Sequence, residues 1–168
     1  MNFSRRLHWL LAATCVLMLG PGNQSLFAQN SLPATIIQAQ QLSAQDKTTI
    51  DGFIDAQVAR LQSSDPEQVA LGRSLLAEQF GLGSSPAFIT YYSQAIAQRV
   101  APLLVPDGPL MTRLNIAIVS AKLSDASLVT VLKAGADDPS PAVRYWIAKA
   151  VGAAAKNDRI SQQQQQDV

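Results

Sequence analysis

Apolar residues recur at helical spacing in six stretches of the chain, and residues that start or stop helices bound each stretch. Ile50, Phe53, Ile54, Val58 and Leu61 share one face, and Ser43 with Asp46 three places on reads as a variant capping box. These predict a helix from Ser43 to about Gln62. Asp65-Pro66 supplies an N-cap and a first-turn proline for a second helix, which runs to about Phe80 before Gly81 and Gly83. Ser85-Pro86 opens a third, through Phe88, Tyr92, Ile96 and Val100 to about Ala101. After the break PLLVPDGP, Pro109 starts a fourth, whose apolar side is read as Leu110, Leu114, Ala117, Ile118 and Ala121. Ser124 caps a fifth through Leu128, Val131 and Leu132 to Gly135. Ser140-Pro141 opens the sixth, where Val143, Ile147, Ala150, Val151 and Ala154 form a stripe one face wide. No stretch alternates as a strand would, so the expected class is all-α.

The six helices group into three pairs, each with an Asp/Pro corner: Asp65-Pro66, Asp107 to Pro109, and Asp138 to Pro141. The corners lie roughly 30 to 45 residues apart, within the periods of helical repeat arrays. One pair cannot bury its apolar stripe alone, whereas three stacked pairs share a core. The expected architecture is therefore an α/α solenoid of about three helical hairpins. It would occupy residues 43–156, behind a polar, Gln-rich linker over 29–42 and ahead of a Gln-rich disordered tail over 157–168.

The third pair, SLVTVLKAGADDPSPAVRYWIAKAVG, resembles the HEAT-repeat family: leucines on the first helix, then D-x-x-P-x-V-R, then small residues and a closing glycine. The resemblance implies that Asp138 and Arg144 take the family's turn aspartate and second-helix arginine, which commonly interact along the stack. Pro141 and Val143 complete the corner motif. The first pair keeps Asp65, Pro66 and Val69 but has Arg73 displaced, and the middle pair keeps a proline and apolar spacing without the full motif.

Ahead of these helices, MNFSRR is a short positive start and LHWLLAATCVLMLG an apolar run ended by Gly20-Pro21-Gly22. This is the plan of a signal peptide, with cleavage expected after Ala28 and a periplasmic or secreted product. The apolar run is short for a bilayer span, so membrane association is expected only if the segment is retained as an anchor. Ser4-Arg5-Arg6 lacks the hydrophobic residues of a twin-arginine signal, and Thr14 before Cys15 does not suit a lipoprotein cysteine.

Cleavage would remove the only cysteine, Cys15, and the only histidine, His8. The remainder would hold 11 basic residues (13 less Arg5 and Arg6) against 12 acidic ones. Such a chain has no thiolate or imidazole for a catalytic triad or a zinc site, no disulfide, and no basic field for nucleic acid. Tyr145 and Lys149 have the spacing of a short-chain dehydrogenase pair, but no βαβ unit or Gly-rich phosphate turn accompanies them. Gly81-Leu82-Gly83 lacks the lysine of a P-loop, while Asp51 with Asp55, and Asp137 with Asp138, read as a solvated face and as caps.

No catalytic, cofactor or metal residue is therefore expected. The function read from the residues is a non-catalytic protein–protein interaction scaffold, with Tyr91, Tyr145 and Trp146 as its contact surface. The alternatives are an enzyme, since HEAT-like repeats occur in chromophore lyases and DNA-repair glycosylases, and a membrane-anchored structural spacer.

Overall fold

The computed structural model describes residues 31–156 except Leu82 and Ser124. The expected signal peptide with Cys15 and His8, the expected tail, and the Ser124 cap lie outside the described residues. Seven α-helices and no strand occur among them: α1 (Ala34–Ile37), α2 (Ala44–Leu61), α3 (Pro66–Glu78), α4 (Pro86–Val100), α5 (Leu110–Leu123), α6 (Val129–Ala136) and α7 (Pro141–Lys156). Short 3₁₀ turns at Ala101–Leu103 and Ala126–Leu128 extend α4 and precede α6. None of these helices is long and apolar enough to cross a membrane.

Local chemistry sets the boundaries. The Ser43 hydroxyl accepts from the Asp46 N–H, and the Asp46 carboxylate accepts from the Ser43 N–H, a complete capping box for α2. Asp65 and Ser85 cap α3 and α4, each followed by a proline that needs no N–H partner. The helix α3 stops two residues short of expectation because the side chain of Gln79 turns inward, donating to the Leu75 carbonyl and accepting from the Leu32 N–H.

That last bond marks a correction. Of the segment expected as a linker over 29–42, the described residues 31–42 are docked: Leu32 (4% exposed) and Ile36 are buried in the main core. The Ile37 and Ala39 carbonyls accept from the Ser85 N–H and hydroxyl. Its glutamines and single proline describe its solvent side, whereas Leu32 and Ile36 supply the apolar area that holds it.

The helix α2 packs against α3 and α4, α5 against α3 and α7, and α6 against α7. Two glycines permit close approach. A Cβ on Gly72 would lie 2.8 Å from the Gln57 carbonyl oxygen of α2, and one on Gly135 would lie 2.6 Å from the Ile147 side chain of α7. The main core runs from Leu32 to Val131 and includes Ile50, Ile54, Leu61, Phe88, Tyr92 and Ile96, all fully buried. A smaller cluster of Ala117, Leu132, Val143, Ile147, Ala150 and Ala154 holds α7. Burying a large aliphatic side chain stabilises by roughly 1.5–3 kcal/mol. The alanine-rich cluster under α7 therefore contributes much less than the main core, and polar ties matter more there.

The expected apolar face of α5 is buried only in part: Ala117 is fully buried and Leu114 and Ala121 pack on the smaller cluster, but the burial is centred elsewhere. Leu110 is exposed, and Leu114 and Ile118 are only half-buried, while Thr112, Arg113, Asn115, Ile116, Val119, Ser120 and Leu123 are buried. The cause is its place between α3 and α7, which encloses polar residues that have hydrogen-bond partners. Thr112 donates to the Leu61 carbonyl, Ser120 to the Ile116 carbonyl and Asn115 to the Met111 carbonyl.

Candidate interaction surface

The corner before α7 is built around an ion pair. Asp138 (4% exposed) accepts from Arg113 of α5 (6% exposed) through both carboxylate oxygens, and one of them also accepts from the Ser140 N–H. Arg113 Nε donates to the Gly108 carbonyl 3.1 Å away. Charge-assisted bonds to a buried carboxylate are the strong kind, and here they tie α5 to the next corner. The expected Asp138–Arg144 pairing takes another form. Arg144 Nη1 donates to the backbone carbonyls of Asp138 (2.7 Å) and Pro139 (3.1 Å), and the carboxylate belongs to Arg113. Val143 is fully buried, and Pro141 is the exposed first residue of α7.

Arg113 was not singled out in the sequence, yet a signal for it exists. Asp107 precedes Arg113 by the same interval that separates Asp138 from Arg144, so positions in α5 have counterparts 31 residues later in α7. Thr112 and Val143, Ile116 and Ile147, Val119 and Ala150, and Leu123 and Ala154 are matched pairs, and all eight are buried. Both arginines also reach back to a carbonyl of their own corner. Valine-for-threonine at one position and a shifted proline hide the match from motif reading. One step earlier, Arg73 of α3 donates to Asn115 of α5 at 2.8 Å, so each junction along α3, α5 and α7 carries an arginine tie.

The outward side of α7 carries Tyr145 (59% exposed), its ring edge-on to Trp146 with centroids 5.7 Å apart. Trp146 is half-buried against the small cluster. Lys149, one turn on, places its Nζ 4.6 Å from the Trp146 centroid and 5.8 Å from that of Tyr145. The tyrosine–lysine spacing thus serves a cation–π stack, worth about 0.5–1 kcal/mol at an exposed site. The stack fixes two amphipathic rings and a cation on one helix face, a composition suited to protein contact.

Tyr91 lies elsewhere. It packs against the main core, whereas Tyr145 and Trp146 belong to α7 and the smaller cluster, so the three aromatic residues do not share one surface. Its hydroxyl donates to Asp51 (2.9 Å), and Lys47 lies 5.3 Å from its ring centroid. Arg99 pairs with Asp51 at 3.2 Å and with Asp55. Partial burial, then the Asp51 hydrogen bond, raises the Tyr91 pKa, and the Asp55 hydrogen bond raises that of Arg99. Asp51 and Asp55 are thereby engaged in joining α2 to α4 through rim ion pairs worth about 0–1 kcal/mol. Beside Tyr91 opens a shallow groove of about 530 Å³, bounded by Gln40, Leu42, Lys47, Pro86 and Gln94. A second, of about 120 Å³, lies over Val69, Arg73, Met111 and Asn115.

Comparison with protein-family models, with curated proteins and with solved structures finds no match for this chain.

Proposed function

We propose that the chain is a HEAT-like α/α solenoid that works as an exported, non-catalytic protein-binding scaffold. Two features support the solenoid arrangement: α5 packs on both α3 and α7, and an arginine crosses each junction. The observation that carries the binding function is the Tyr145–Trp146–Lys149 stack, presented to solvent on a helix held from behind by Val143, Ile147 and the Asp138 corner. Such a surface is ordered before any partner arrives, so little side-chain entropy is lost on binding. Export follows from the leader-like N-terminus and makes the partner a protein of the cell envelope or exterior.

A photoreactive residue at position 145, introduced into the full chain in cells, tests this reading. The expected result is a discrete protein adduct at position 145 that is absent when the same group replaces Thr48 on α2. Equal yields at both positions, or no protein adduct at 145, contradict it. N-terminal mass analysis tests the export: a chain beginning at Gln29 is expected, and an intact Met1 in membrane fractions favours the anchored spacer.

A further inference from the structure

The repeat relation between α5 and α7 shows what the outer side of α7 is shaped to meet. On α5, Arg113 holds a corner aspartate, and Leu114, Ala117 and Ala121 pack against the cluster of the following pair. Their counterparts on α7 are Arg144, Tyr145, Ala148 and Gly152, all four exposed. Among the described residues Arg144 has backbone carbonyl partners and no carboxylate. The face that α5 uses to bind the next hairpin is thus repeated, uncovered, on α7.

The opposite side of the molecule offers what that face lacks. Asp65, at the first corner, accepts from the N–H two residues on, as Asp138 does from Ser140, although Asp65 sits two residues closer to its helix. Asp65 is exposed and makes no ion pair among the described residues, whereas Asp138 is buried under Arg113. With its cap, α3 carries Asp65, Glu67 and Glu78, and its one base, Arg73, is bound to Asn115. In contrast, α7 carries Arg144, Lys149 and Lys156 and no acid. Leu71, also exposed on α3, offers an apolar contact.

From these two faces we infer that the α7 face of one copy docks on the α3 corner of a second copy. In that contact Arg144 takes Asp65 as Arg113 takes Asp138, and Tyr145 covers Leu71. This rests on the scaffold reading above and names the partner as the chain itself. The contact joins unlike surfaces, so each copy keeps a free acceptor and a free donor, and association proceeds to short head-to-tail arrays.

Sedimentation velocity on the cell-processed protein, from micromolar to millimolar concentration, reads this directly. Wild type is expected to show a sedimentation coefficient that rises with concentration through dimer and larger species. Arg144→Asp and Asp65→Lys, checked by circular dichroism for intact helix content, are each expected to weaken association on the order of 30-fold or more. Mixing the two restores it. The Asp65→Lys variant still offers Arg144, the Arg144→Asp variant still offers Asp65, and the two introduced charges are opposite in sign.

A wild type that stays monomeric throughout, or a mixture no more associated than its components, overturns the inference. The position-145 crosslink separates the failures. An adduct joining position 145 to residues 65–71 of another copy supports it. A link to residues 157–168 of the same chain, or only to a different protein, overturns self-docking, the latter leaving the scaffold reading standing. No protein adduct at all removes both.

Discussion

Replacing Asp138 by alanine isolates the tie between α5 and the α7 corner. The side chain removed is almost wholly buried, and it leaves the Arg113 guanidinium enclosed with one remaining acceptor, the Gly108 carbonyl. Removing one member of a buried ion pair costs about 3–5 kcal/mol, since the survivor keeps its desolvation penalty without its counter-charge. The Ser140 N–H also loses its acceptor, which adds about 1 kcal/mol. The sum is a large share of the roughly 5–15 kcal/mol that stabilises an ordinary domain. Arg113→Met combined with Asp138→Leu removes both charges, so the pair is expected to lose much less than the single variant. Urea titrations followed by far-ultraviolet circular dichroism provide the comparison at matched slope. An Asp138→Ala variant that loses less than about 1 kcal/mol, or a double variant as unstable as Arg113→Met and Asp138→Leu alone summed, refutes the assignment of this pair as a structural tie.

Four further outcomes follow from packing and titration. Gly52→Ala, in an exposed turn of α2 with nothing near its Cβ, is expected to stabilise by about 0.5–1 kcal/mol. By contrast, Gly72→Ala drives a Cβ against the Gln57 carbonyl and is expected to destabilise by about 1–3 kcal/mol, both read from denaturation midpoints. The Ser43 hydroxyl, then its backbone N–H, holds the Asp46 carboxyl below 3.8, so this cap stabilises above that pH and fades as pH falls through the lowered value. Asp46→Ala should therefore lower the melting temperature at neutral pH and make much less difference in strong acid, where the carboxyl it removes is protonated. Burial raises the Tyr92 hydroxyl well above 10.0, and it donates to the Leu76 carbonyl. The neutral form is favoured in the fold, so its contribution is complete below pH 10.0 and falls as pH rises beyond it, where the unfolded chain releases the proton. Tyr92→Phe should flatten that alkaline decline in melting temperature.

Helix positions were legible because their signals are local: Ser43 with Asp46, Asp65-Pro66 and Ser85-Pro86 all cap where expected. The split between Tyr91 and Tyr92 was legible too, Tyr92 falling on the apolar face and stacking on Phe88 at 5.0 Å. What failed depends on neighbours that periodicity cannot see. The helix α5 reads as amphipathic around Leu114 and Ile118, but enclosure between α3 and α7 buries Arg113, Asn115 and Thr112, whose partners lie 25 to 51 residues away. Leu32, Ile36, Ile37 and Leu42 are scattered among glutamines without a sustained period, and together they are enough to dock the segment. On the candidate surface Tyr145 and Trp146 were legible by residue type. Lys149 was noticed for a catalytic spacing and serves as the cation of their stack.

The order of α3, α5 and α7 is the claim on which the rest stands, and paired spin labels measure it most directly. On a Cys15→Ser background, labels at exposed Ser74 of α3 and Ala148 of α7 report the outer pair, and Met111 of α5 with Ala148 reports a neighbouring pair. Helices in contact lie about 8–10 Å apart between axes, so a row places α3 and α7 roughly twice that distance. The account predicts short-range dipolar broadening for the neighbouring pair and a resolved distance near 20 Å for the outer pair. The doubly labelled chain is diluted into excess unlabelled protein so that contacts between copies do not report. Contact-range coupling between Ser74 and Ala148 of one copy, as a closed bundle would give, contradicts it.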